Sequence, residues 1–149
     1  MHTAARNTER LELSREPVVR RLFPGVEFPP VEIEEIAFGE RAHVDVGDRI
    51  VIRLPRLVEP WVRAHEIGHA LVWLLVDRPL ADAAPDAAHE VAAMFLEALM
   101  SPGPVQRYSS ALPERDTVAW LLAMRAHARG ASVRQVVVDI LSGAFHGGA

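Results

Sequence analysis

The chain has 149 residues, 50% hydrophobic and 24% charged, with a formal net charge of -4. That length and balance suit one globular domain over residues 1–149 whose core needs no covalent staples, and they exclude a disordered chain. There is no cysteine, so zinc fingers and iron–sulfur clusters are excluded and any metal must be held by nitrogen and oxygen. The negative charge argues against direct nucleic-acid binding over the surface as a whole.

Met1 to Arg21 mixes charged and apolar residues and lacks the continuous apolar core of a secretory signal. The longest apolar run, Ala70 to Val76, is too short to span a bilayer. No membrane association and a cytoplasmic location are therefore expected. Thr8 to Leu22 carries leucines and valines at mixed helical spacing and reads as one broken or two short helices, with Ser14 capping the second and Pro17 in its first turn. Pro24, Pro29 and Pro30 then interrupt the chain. Val31 to Ile36 opens with period-2 alternation, and Ala42 to Val46 and Arg49 to Leu54 alternate on either side of a Gly47-Asp48 turn. These segments predict a small, mostly antiparallel sheet whose last strand ends at Pro55.

A helix is predicted from about Glu59 or Pro60 to Val76, closed by Asp77-Arg78-Pro79. It is apolar nearly all round, as a central helix is, yet it contains His65-Glu66-Ile67-Gly68-His69. Residues four apart on a helix lie one above the other, so His65 and His69 present two imidazoles to one point, which suits a metal ion. Glu66 lies a step round the same face. It is near enough to take a proton from a metal-bound water without ligating, the arrangement that H-E-x-x-H metallopeptidases use. The competing explanation, two satisfied core histidines, must place three polar side chains on an apolar helix where each needs a partner.

Ala81 to Ala88 reads as a loop, and a helix follows from about Asp86 to Met100. At 100° per residue, Ala88, Val91, Ala92, Phe95, Ala98 and Leu99 form one stripe, Glu90, Glu97 and Ser101 the opposite one, and His89 falls between. Catalytic zinc takes three protein ligands and a water, so this helix is expected to supply the third ligand. Glu90 lies in a stripe that reads as solvated, whereas His89 adjoins small residues that let another helix approach. The helical wheel favours His89, and Glu90 stays a candidate because carboxylates are common third ligands.

Ser101-Pro102-Gly103-Pro104 breaks that helix, and the loop through Ser110 carries Arg107 and the only tyrosine, Tyr108. Pro113 opens a helix to about Ala128, Gly130 ends it, Ser132 caps a last helix through Leu141, and Phe145 to Ala149 is a glycine-rich tail. Ala119 to Leu141 has the outline of a helix-turn-helix. It lacks base-reading side chains and a basic face, and reads as two packing helices.

Together the strand, the H-E-x-x-H helix and the next helix, about residues 31–102, resemble the ImmA/IrrE family of zincin-fold metallopeptidases. There an edge strand leads into A-H-E-x-G-H and apolar residues, as Ile50 to Leu54 leads here into Ala64-His65-Glu66-Ile67-Gly68-His69-Ala70-Leu71. The family's next landmark, E-x-E-A-N-x-F-A-x-x-L-L-M-P, has the third zinc ligand as its first acidic residue. Anchored on Phe95, seven residues before Pro102, the pattern puts His89 at the ligand position and Glu90 just after it. Histidine then replaces the usual glutamate, Ala93 the asparagine, and Met100-Ser101-Pro102 the tighter ending. The resemblance implies an α+β, zincin-like domain, its small sheet packed on the H-E-x-x-H helix and the following ligand-bearing helix, with further helices after them. Members with assigned roles cleave repressor proteins, which implies a transcriptional repressor as substrate.

The expectation is a zinc-dependent endopeptidase of a protein or peptide substrate, with His65, His69 and His89 holding Zn2+ and Glu66 as general base. The Arg49 to Leu54 strand, as a sheet edge, would pair with an extended substrate. Tyr108 and His127 are the candidates for stabilising the oxyanion beside the metal. The alternatives are a non-catalytic regulatory or binding module on the same scaffold, and a DNA-associated regulator using the last two helices.

Overall fold

The alternating segments form strands, but their order departs from a simple meander. A computed structural model describes residues 8–147, so Met1 to Asn7 of the expected leaderless N-terminus and the last two residues of the tail lie outside the described residues. The four strands are β1 (Thr8–Leu11), β2 (Val31–Ile36), β3 (His43–Val46) and β4 (Ile50–Pro55), arranged β1-β2-β4-β3. The β3–β4 hairpin turns at Gly47-Asp48, where Gly47 N donates to Arg49 O at 3.1 Å. From β2 the chain passes to the outer position and returns, so β4 inserts parallel to β2 with β3 outside it. The sheet is therefore mixed, with two antiparallel pairings as expected and one parallel, and its edges are β1 and β3 rather than β4.

Thr8–Leu11 is a strand, not part of a helix, because its backbone pairs antiparallel with Val31 to Glu34. Long-range pairing overrides its mixed helical spacing. The helical part of that segment is a 3-10 turn, Leu13–Arg15, and α1 (Pro17–Leu22), which Glu16 rather than Ser14 precedes. Ser14 Oγ instead accepts from Phe28 N at 2.7 Å. Ile33, Ile52 and Val44 lie abreast in the register and pack into the core. Glu34, Arg53 and His43 lie abreast on the other face, where Arg53 pairs with Glu34 and Asp45.

The remaining helices are α2 (Pro60–Leu75), α3 (Arg78–Ala83), α4 (Asp86–Met100), α5 (Val105–Ala111), α6 (Glu114–Ala128) and α7 (Val133–Leu141). Two short ones, α3 and α5, stand where loops are predicted. Pro79 lies in the first turn of α3 and Pro104 just before α5, positions that need no backbone N–H, so these prolines start helices rather than end them. Ser132 caps α7, its Oγ accepting from Gln135 N at 3.1 Å. One core runs from Leu13 to Leu141 with α4 near its centre, packed by α2, α6 and α7. α2 and α4 approach closely at Gly68, where a Cβ would lie 3.0 Å from Ala93 O. α6 buries Ala119, Trp120 and Ala123 and leaves Val118, Leu121 and Leu122 exposed. Among the described residues no helix is long and apolar enough to cross a membrane.

Candidate metal centre

His65 and His69 sit on successive turns of α2, their rings edge to face with centroids 4.8 Å apart. Across from them α4 presents Glu90, with Oε1 2.8 Å from His65 Nε2 and Oε2 3.1 Å from His69 Nε2. One ligating atom from each of the three residues lies within 4.8 Å of the others. Zinc bonds of about 2.0–2.2 Å set tetrahedral ligand atoms roughly 3.3–3.5 Å apart, so a small outward adjustment of these side chains makes room for the ion. Two imidazoles and a carboxylate are also a donor set that catalytic zinc takes. The residues fit the metal.

Of the two candidates for a third ligand, Glu90 joins the histidines and His89 does not. His89 Nε2 lies 2.7 Å from Ala81 O, and its ring stacks on Trp73 at 5.0 Å. Helix α3 brings that carbonyl into place, and a predicted loop gave no reason to expect it. The wheel also put Glu90 and Glu97 on a solvated stripe. They are seven residues apart, two turns on one face, and that face meets α2: Glu97 is 1% exposed and its Oε1 is 3.1 Å from His65 Nδ1. The seven-residue spacing was the available signal; packing against α2 buries Glu97, while Glu90, its side chain 44% exposed, opens on the cleft.

The charges are strongly coupled. Burial disfavours a charged His65 ring, yet Glu90 and Glu97 against its two nitrogens outweigh burial and raise its pKa to about 9. Glu90 is lowered despite burial, because His65 and His69 both hydrogen-bond its charged form. Glu66 is raised chiefly by burial, which the two histidines oppose. Its carboxylate has no hydrogen-bond or ion-pair partner among the described residues. These groups face a cleft of about 450 Å³ whose opposite wall is residues 41–44, the chain leading into edge strand β3. A larger hollow, about 480 Å³, lies between the ends of β2 and β4 and Arg63. At the smaller cleft a buried carboxylate without a partner among the described residues adjoins three side chains that could hold a metal.

Tyr108 and His127 do not reach this cleft. Tyr108 is buried against Trp120 with ring centroids 4.5 Å apart, and its hydroxyl accepts from Gly103 N at 3.1 Å and Arg107 Nη2 at 2.7 Å. His127 Nδ1 lies 3.0 Å from Ala131 O, and its ring packs on Phe95. The donors that do line the cleft are Arg41 and His43, which sequence reasoning did not single out because nothing in strand alternation relates β3 to α2. Comparison with protein-family models, curated proteins and solved structures finds no match to this chain.

Proposed function

We propose that the protein is a zinc-dependent endopeptidase of the H-E-x-x-H type, with His65, His69 and Glu90 as ligands and Glu66 as general base. One observation carries this reading: two Nε2 atoms and a carboxylate converge beside a buried carboxylate that has no partner. Zinc bound there supplies a Lewis acid that acidifies water and polarises a carbonyl. Glu66 takes the proton of the attacking water and delivers it to the leaving amine. Burial pushes its pKa up, the direction that makes a carboxylate a stronger proton acceptor. The open edge of β3 offers main-chain hydrogen bonds to an extended peptide, the role the sequence assigned to Arg49 to Leu54. Arg41, which lines the same cleft, is the proposed donor to the carbonyl oxygen as charge develops on it. The resemblance to the ImmA/IrrE peptidases supports a cytoplasmic protein substrate of the transcriptional-repressor class.

The test uses zinc-loaded protein and a peptide library whose cleavage products are read by mass spectrometry. The wild type is expected to cut, and Glu66→Gln to retain zinc while cutting about 10²–10⁴-fold more slowly. Equal cleavage by both removes Glu66 as the base. A zinc-loaded wild type that cuts nothing makes the protein a binding module on this scaffold.

A further inference from the structure

We propose that Glu97 and Arg107 are a positioning pair that holds His65 for metal binding, with Gly103 leaving the space in which the pair forms. The inference rests on the metal reading of the cluster and assigns residues outside it. Glu97 divides its carboxylate between two partners. Oε1 lies 3.1 Å from His65 Nδ1, and Oε2 accepts from Arg107 Nη2 at 2.7 Å. A carboxylate on Nδ1 holds a proton on that nitrogen, so the proton an ion would displace is the one on Nε2, which faces Glu90. The ring is thereby fixed in tautomer and in rotation about its long axis.

Arg107 reaches Glu97 from α5, beyond the two ligand-bearing helices. The same Nη2 also lies 2.8 Å from Ser101 O and 2.7 Å from Tyr108 Oη, three acceptors sharing its two hydrogens, and the guanidinium lies over the Trp61 ring. Its Nε is buried without a partner among the described residues. A Cβ on Gly103 would lie 2.5 Å from Arg107 Cζ and 2.6–2.8 Å from both terminal nitrogens, so any larger residue there moves the guanidinium. The Gly103 backbone has no positive φ that would itself bar a side chain. Gly103→Ala therefore displaces Arg107 while leaving every charge in place.

The experiment measures zinc affinity by chelator competition in the wild type, Glu97→Gln and Gly103→Ala, and records the side-chain nitrogen resonances of His65 in the zinc-loaded proteins. Glu97→Gln is expected to weaken zinc about 10–100-fold. Gly103→Ala should weaken it several-fold in the same direction, and both should move the His65 Nδ1 resonance, which a merely structural ion pair would leave in place. If Glu97→Gln does not fold, Gly103→Ala decides. Wild-type affinity and an unmoved Nδ1 resonance in the folded variants overturn this inference alone. A wild type that binds no zinc overturns the metal reading and this inference with it.

Discussion

Glu90 and His89 are neighbours on α4, yet one carboxylate bridges two imidazoles and the other side chain turns to Ala81 and Trp73. Glu90→Gln should therefore weaken zinc binding by at least about 10-fold. His89→Gln should leave zinc affinity intact and cost about 1–2 kcal/mol of stability through the lost hydrogen bond and stacking. Zinc titration and urea unfolding on both variants separate the two, and the opposite ranking would return His89 to the coordination sphere. The same residues set a pH dependence in the metal-free protein. The His65 pKa is raised from 6.5 to about 9, so its stabilisation is full below about pH 6.5 and is lost as pH rises through about 9. The lowered Glu90 is the same interaction seen from its partner, present above the ordinary carboxyl range and lost as pH falls. Urea midpoints between pH 6.5 and 9 should fall by an amount equivalent to at most about 3 kcal/mol; a flat profile would discard the coupling. Zinc must displace the His65 proton, so its apparent affinity should rise with pH across that window.

At the scale of elements, the centre exists because α2 and α4 approach closely at Gly68. Alanine there adds about 1 kcal/mol of helix propensity, but its Cβ would meet Ala93 O at 3.0 Å. That oxygen belongs to helix backbone and cannot move without α4. Gly68→Ala should therefore push Glu90 away from the histidines and weaken zinc several-fold, with little or no net gain in stability. Unchanged zinc affinity would mean the helices yield without moving Glu90. The bounds of α2 and α4 were legible in the sequence, because proline, capping and apolar periodicity act between near neighbours along the chain. The place of β1 was not, since Thr8–Leu11 becomes a strand only through residues 20 to 26 positions away.

For the whole molecule, the proposed ligands come from two helices and the proposed positioning pair from α4 and α5, so only the folded chain brings these residues together. Zinc at about 100 times its Kd should stabilise the protein by about 2.7 kcal/mol and raise its Tm by roughly 5–10 °C. Calorimetry with and without a chelator reads this directly, and an unmoved Tm would count against a preformed site. The sequence by itself determined what depends on local spacing: two histidines and a glutamate one turn apart on an apolar helix, a second helix from Asp86 to Met100, and the hairpin at Gly47-Asp48. Tertiary structure alone decided that Glu90 rather than His89 joins the histidines, that β3 rather than β4 is an edge, and that Arg107 reaches Glu97. Each of these turns on which side of an element meets another. Periodicity identifies a polar stripe but, on a helix buried over most of its length, carries no information on which part of that stripe faces water and which a partner.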